Sequence, residues 1–437
     1  MNLTGIERST EGGRILWEPS SEFKASSRIM EYMEWLANSG ITDIKNRDYH
    51  SLWNWSVQEL SSFWKSIWDY FEIMSTHPFS QILQKRSNDV FGSKWFQGSR
   101  LNYCEHAFRS LNERKISPTD EAIIGCREDG SKKVITWQDL QNQVASFSSA
   151  LHRMGVVKGD RVVAFAPNIP ETIISFLATA RIGAIWSSCS PDFGVPSVVD
   201  RFKQLEPKIL IATDGYSYNG KSFGKIEAIT ELQSNLTTIK ETILIPYLHN
   251  STEKNSLSSF KKFHEIIKDE TNHSNLDQDY AQVSFEHPLW ILFSSGTTGP
   301  PKAIVQSHGG ILLEHLKLLA LQMNLGDRDR FFWFTTTGWM MWNVLVSGLL
   351  VGSTIIAYDG SPSYPDLSNL WRLAEDVGIK YFGTSAAFLS ACNKAGIRPK
   401  DVFKFKDMSS IGSTGSPLTP EVWGNRPRMQ YRRQSRR

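Results

Sequence analysis

Apolar positions along the chain switch between two periods. Leu140, Val144, Phe147, Leu151 and Met154 recur at helical spacing, and Gly155 closes that helix. Short apolar runs at 161–166, 184–187 and 209–212 predict strands, with helices expected over 170–182 and 196–205 between them. The same alternation resumes at 289. Helices are expected over 309–323, 340–350, 367–377 and up to 395, with strands over 331–335, 354–358, 381–384 and 408–413. Helices alternating with short strands imply parallel sheets covered by helices. Before this region the pattern is aromatic. Trp53, Trp55, Phe63, Trp64, Trp68, Tyr70 and Phe71 fall largely at helical spacings, and Ser56 with Glu59 reads as a capping box opening a helix. The stretch 249–276 is polar and mixed in charge and reads as a surface excursion, with a helical patch at 263–267.

The break in the pattern at 294–302 carries the chemistry. The run Trp290–Phe293 stops at Ser294, Ser295, Gly296, Thr297, Thr298, Gly299, Pro300, Pro301 and Lys302, and a second apolar run starts at Ala303. A strand, a hydroxyl-rich glycine loop with one lysine, and a second strand suit a polyphosphate. Glycines admit backbone N–H groups to the oxygens, hydroxyls donate further bonds, and the lysine adds a point charge. The G-x-x-x-x-G-K-[ST] loop of P-loop NTPases fits only in part. Gly296 and Lys302 are spaced for it, but Pro301 replaces its second glycine and Ala303 its metal-binding hydroxyl. A plain hairpin turn with an exposed lysine is the competing reading.

With 437 residues the chain has room for two or three domains. Its net charge of +3 comes from six arginines after Gly424, and the body before them carries −3. This excludes a basic nucleic-acid-binding body. Cys104, Cys126, Cys189 and Cys392 share no ligand spacing and read as reduced thiols, so no metal site is expected. There is no apolar signal core at the N-terminus, and the apolar stretch 344–357 is too short and too interrupted to span a bilayer. A cytosolic protein without a membrane or nucleic-acid partner is expected.

SSGTTGPPK resembles the phosphate loop of the adenylate-forming superfamily: acyl-CoA synthetases, peptide-synthetase adenylation domains and luciferases. GSRLNY (Gly98 to Tyr103), WSSCSPDFGV (Trp186 to Val195), YNGK (Tyr218 to Lys221), TTTGWMMWN (Thr335 to Asn343), YDGSP (Tyr358 to Pro362) and STGSPL (Ser413 to Leu418) are similar to the acetoacetyl-CoA synthetases of that superfamily. The resemblance runs from about residue 50 to 424 and implies an α/β fold. That fold is the large N-terminal domain of the adenylate-forming enzymes, two stacked α/β subdomains with an N-terminal helical cap. The divisions expected are 1–90 for the cap, 91–287 and 288–424 for the subdomains, and 425–437 for a basic aberrant tail.

The resemblance also implies a reaction. Acetoacetate attacks the α-phosphorus of ATP, pyrophosphate leaves, and the acyl adenylate passes to coenzyme A, with Mg²⁺ arriving on the nucleotide. Lys302 would act in catalysis and Ser294 to Gly299 would hold the phosphates. Gly415, Ser416 and Pro417 match the adenine-holding turn, although they also suit a helix start. Gly338, Trp339 and Met340 match the acyl pocket; the alternative for Trp339 is the core, which is also the reading for Trp342. Asn219, Gly220 and Lys221 match a turn that meets CoA, although a surface turn describes them as well. Asp192 reads as a turn residue and His308 as a neighbour of the phosphates. After Trp423 the family's ATP- and Mg²⁺-contacting motif, ribose aspartate and lysine domain do not follow, so a C-terminally truncated, impaired or inactive form is expected. Another short-chain acyl-CoA synthetase, or a non-catalytic ATP- or acyl-binding isoform, are the alternatives.

Overall fold

The computed structural model describes residues 17–86, 89–113, 115–248, 260–271, 279–294 and 299–424. Residues 1–16, 295–298 and the basic tail 425–437 lie outside that set. Among the described residues the main strands form two sheets. In the seven-stranded sheet the order is Lys261–Lys262, Glu241–Ile245, Ile209–Thr213, Arg161–Phe165, Ile185–Cys189, Pro288–Ser294 and Lys302–Ser307. Its neighbouring strands pair parallel up to Pro288–Ser294. The last pair is antiparallel, with Leu292 opposite Ile304 and Ser294 opposite Lys302. In the six-stranded sheet the order is Ser410–Thr414, Tyr381–Ser385, Arg330–Trp333, Thr354–Asp359, Glu121–Arg127 and Lys132–Thr136. Only its final pair is antiparallel.

Sheet membership does not follow the order of the chain. Glu121–Arg127 precedes the first sheet in sequence yet pairs with Thr354–Asp359, Ile123 lying opposite Ile355. Conversely, Pro288–Ser294 and Lys302–Ser307 complete the first sheet, Trp290 lying opposite Trp186. The division expected at 287/288 is therefore not a division between sheets. Hydrophobic period places a strand, but its neighbour is chosen by long-range packing. The strand Arg161–Phe165 is nearly all apolar because both of its faces are buried, Val162 and Ala164 in the cluster with Val144, Phe147 and Ile173, and Val163 and Phe165 in the cluster with Val198 and Phe202.

The N-terminal region is helical as expected, but its caps differ. Asp48, not Ser56, caps the helix Tyr49–Gln58, accepting the Ser51 N–H at 3.0 Å. Ser56 lies inside that helix and its hydroxyl donates back to Trp53 O at 2.7 Å. Glu59 stands between this helix and Leu60–Tyr70. The helix thus starts about two turns before the serine, at the Asp48 cap. A hairpin of Gln81–Arg86 against Asp89–Gln97 also crosses the boundary expected at residue 90.

Candidate functional site

The two sheets present their parallel strands to a common cleft by the carboxyl ends. Pro167 and Asn168 follow Arg161–Phe165, and Ser190, Pro191 and Asp192 follow Ile185–Cys189. From the other sheet, Phe334, Thr335 and Thr336 follow Arg330–Trp333, and Gly360 follows Thr354–Asp359. These residues, with Tyr358 and Asp359, line a cavity of about 430 Å³. Strand ends of this kind are where open α/β sheets bind ligands, because backbone groups there are left without ladder partners.

A third wall is a hairpin, Gly215–Tyr218 against Lys221–Gly224, turned at Asn219 and Gly220. Both turn residues have positive φ, 55° and 74°, which suits an asparagine followed by a glycine. A side chain at Gly220 would also meet the Tyr364 ring at 2.7 Å. Tyr216 and Phe223 stack at 5.1 Å and line the cavity together with Tyr218. The hairpin is clamped by Glu128, which is only 6% exposed. Its carboxylate accepts the N–H of Asn219 at 2.9 Å, of Gly220 at 2.8 Å and of Ser361 at 2.8 Å. Those two backbone amides of the turn are thus already engaged, and what the three residues matched to a CoA turn still offer a ligand is the exposed side chains of Asn219 and Lys221.

Asp359 is a strongly perturbed ionisable group at the cavity. Burial pushes its carboxyl up to about 7, against the Tyr247 hydroxyl, which donates to Oδ2 at 2.7 Å, and the nearby Arg127. Arg127 itself lies 3.7 Å above the Tyr247 ring.

The other expected site residues fall as follows. Ser294 and Lys302 face each other across the mouth of the antiparallel pair, and Lys302 is exposed. Gly299 follows with φ +90°, a conformation open to glycine. Ser295, Gly296, Thr297 and Thr298 lie outside the described residues. Trp339 is 64% exposed and so is not core, whereas Trp342 is buried and stacked on Trp186. Gly338 lies against Phe193, whose ring a Cβ would meet at 3.0 Å, and Met340 opens the helix Met340–Val346 at the surface. Gly415, Ser416 and Pro417 are exposed beyond the end of Ser410–Thr414, Gly415 with φ +90°. Asp192 is exposed on the cavity wall, and the turn it was expected to hold is closed instead by Phe193 N–H on Ser190 O at 3.1 Å. His308 is buried, its Nδ1 accepting the Tyr103 N–H at 3.2 Å, and burial lowers its pKa to about 3. The four cysteines are free and buried. Among the described residues no three His, Cys, Asp or Glu side chains are grouped to hold a metal ion, and no helix is long and apolar enough to cross a membrane. Sequence reasoning passed over Glu128, Asn168 and Tyr247; only Asp359 lies inside a quoted motif.

Comparison with known proteins agrees with this architecture. Residues 113–428 match the family model for AMP-binding enzymes, and residues 49–107 match that for the acetyl-coenzyme A synthetase N-terminus. The acetoacetyl-CoA synthetase of Rattus norvegicus is 35% identical over 94% of this chain and 60% of its own length. That of Rhizobium meliloti is 38% identical over 93% and 61%. The malonamoyl-CoA synthetase vrtB of Penicillium aethiopicum is 32% identical over 86% and 54%. The structure of the acetoacetyl-CoA synthetase from Streptomyces lividans superposes with a TM-score of 0.87 at 42% identity, covering 94% of this chain and 61% of that one. The chain thus spans about 60% of the length of the acetoacetyl-CoA synthetases it matches. With a fold, a strand-end cleft and a family match that covers more than half of its residues, the chain belongs to the AMP-binding enzymes.

Proposed function

We propose that the cleft binds ATP and a short 3-oxo acid and serves acetoacetate–CoA ligation. In the first step a carboxylate oxygen of acetoacetate attacks the α-phosphorus of ATP and pyrophosphate leaves. In the second the thiolate of coenzyme A attacks the acyl carbon and AMP leaves. Neither step needs a nucleophile from the protein, so its task is position and counter-charge. The observation that carries this reading is the convergence of both sheets' strand ends on one 430 Å³ cavity. That volume lies in the ordinary range for small-ligand pockets.

In this reading Ser294 to Gly299 hold the phosphates and Lys302 supplies charge to them, with Mg²⁺ brought by the nucleotide. Gly415, Ser416 and Pro417 hold the adenine. Gly338, Trp339 and Met340 limit the acyl group, for which the exposure of Trp339 leaves room. At the hairpin, Lys221 meets the CoA phosphates, while Asn219 and Gly220 serve through their fixed turn. A cytosolic location goes with these small-molecule substrates. The names of the relatives support the substrate class: acetoacetyl and malonamoyl groups each carry a carbonyl oxygen on the third carbon. The test is acetoacetate-dependent exchange of labelled pyrophosphate into ATP by the purified chain. Exchange is expected with acetoacetate and not without it. Absence of exchange, with no binding of ATP, would contradict the reading.

A further inference from the structure

Elsewhere at this end of the six-stranded sheet, cations are matched by carboxylates, Arg330 with Glu121 at 2.6 Å and Lys380 with Asp329 at 2.7 Å. The segment 394–407 departs from that. Lys394, Arg398, Lys400, Lys404 and Lys406 are all exposed, and among the described residues none of them forms an ion pair. Only two acids, Asp401 and Asp407, stand among them. The short helix Pro399–Val402 lies in the middle of the segment and ends on Val402. At 70% exposure this is the most exposed large apolar side chain among the described residues.

The segment is held in place from beneath. Ile397, Phe403 and Phe405 pack against the cluster of Trp371, Phe382 and Phe388, and the Phe405 ring lies 5.9 Å from that of Trp371. Ile397 N–H donates to Cys392 O at 2.9 Å, Phe403 N–H to Pro399 O at 2.8 Å and Lys404 N–H to Glu375 Oε1 at 2.6 Å. The larger apolar side chains thus face the core, and the cations are left outside around Val402. The segment leads from Ala386–Lys394 into Ser410–Thr414, so it lies at the amino end of that strand. Ser409 N–H donates there to Lys380 O at 2.9 Å, and Lys380 directly precedes Tyr381–Ser385. This is the end of the sheet opposite the cleft.

We propose that this face docks on a bilayer surface rich in acidic phospholipid headgroups. The cations meet the anionic headgroups, and Val402 enters the headgroup layer between them. Other polyanions fit less well. Four of the five cations are lysines, which protein interfaces deplete. Single-stranded nucleic acid binds on exposed aromatic rings, whereas Phe403 and Phe405 face the core. Docking by the amino ends of the strands leaves the cleft open to solvent. The inference is independent of what the cleft binds.

The experiment sediments the full chain with vesicles of phosphatidylcholine alone, or of phosphatidylcholine and phosphatidylserine in equal parts. The arginines after Gly424 are kept in every variant, so differences report on the patch. The wild-type chain should bind the phosphatidylserine vesicles at least about tenfold more tightly, with the preference shrinking as salt is added. The triple variant Lys400→Gln, Lys404→Gln, Lys406→Gln should lose about fivefold per charge, about 10²-fold together. Val402→Ser should weaken binding several-fold at every salt concentration, since its contribution is apolar. All four positions are exposed, so the urea midpoint should not move. Equal wild-type binding to both vesicles, or a triple variant that binds like the wild type, would overturn the proposal. So would a wild-type chain that ignores both vesicles but binds a single-stranded oligonucleotide through the same lysines. Unchanged binding by Val402→Ser would overturn the part assigned to that side chain.

Discussion

The carboxylate of Glu128 accepts the backbone N–H of Gly220 at 2.8 Å, and this contact joins the two sheets' contributions to the cleft. Glu128 directly follows the strand Glu121–Arg127 of one sheet; Gly220 turns the hairpin that directly follows Ile209–Thr213 of the other. Replacing Glu128 with alanine leaves three backbone amides without their acceptor, the buried one of Ser361 and the more exposed ones of Asn219 and Gly220, which water can reach. The expected loss is about 1–3 kcal/mol, chiefly from the Ser361 amide. Urea denaturation reads it, and a loss below about 1 kcal/mol would show that the clamp contributes little.

A pH effect follows from Asp359. In the folded chain burial raises its carboxyl from the ordinary 3.8 to about 7. The folded state therefore keeps a proton that the unfolded state releases between those values. The stability this contributes is fully present below about pH 4 and is lost as pH rises through 7. Asp359→Asn mimics the protonated acid and can still accept from Tyr247. It should match the wild-type melting temperature at pH 4 and exceed it at pH 8. A shift of the same sign and size at both pH values would show that Asp359 does not titrate in this way.

Much of this was legible in the sequence, and the reason differs from element to element. Leu140, Val144, Phe147 and Leu151 gave their helix away because one face of Trp137–Arg153 is buried along its length. The antiparallel mouth at Ser294 and Lys302 followed from two apolar runs about a glycine loop. The pairing of Ile123 with Ile355 has no local signature, since both are simply buried strand residues. Glu128 sits in CREDGS, which reads as a polar turn; its burial depends on Asn219 and Ser361, distant in sequence. The hydrogen bond from the Trp342 indole to Asn168 is equally hidden, since the chain brings Trp342 to it from the other sheet's side of the cleft. The two tryptophans of TTTGWMMWN separate as the sequence reading has them: Trp342 is buried in the core, and Trp339 is exposed rather than core.

That exposure makes Trp339 a clean probe. Trp339→Ala should change folding stability by no more than about 0.5 kcal/mol, as for a surface substitution. Its preference among acyl adenylate mimics should shift toward longer chains by tens- to hundreds-fold, the worth of one or two methylenes. An unchanged chain-length preference would remove Trp339 from the acyl pocket.

On the proposed function Lys302 acts in only one of the two half-reactions, which a chain extended to the full length of its relatives can test. Lys302→Ala should leave the denaturation midpoint unchanged, since the side chain is exposed. Pyrophosphate exchange should slow by about 10²-fold, the usual cost of one lost electrostatic donor. Thiol transfer from a preformed acetoacetyl adenylate should be nearly unaffected. Equal slowing of both steps would count against a role at the departing pyrophosphate.

The central claim is that nucleotide and acid meet at the strand ends between the two sheets. Backbone hydrogen exchange of the chain with and without Mg·ATP and acetoacetate tests it most directly. Slowed exchange is predicted in peptides covering Ser294 to Lys302, Thr335 to Met340 and Thr414 to Pro417, the segments to which the proposed function assigns the phosphates, the acid and the adenine. Exchange unchanged in all three segments at saturating nucleotide, or slowed only at surfaces remote from them, would contradict the account.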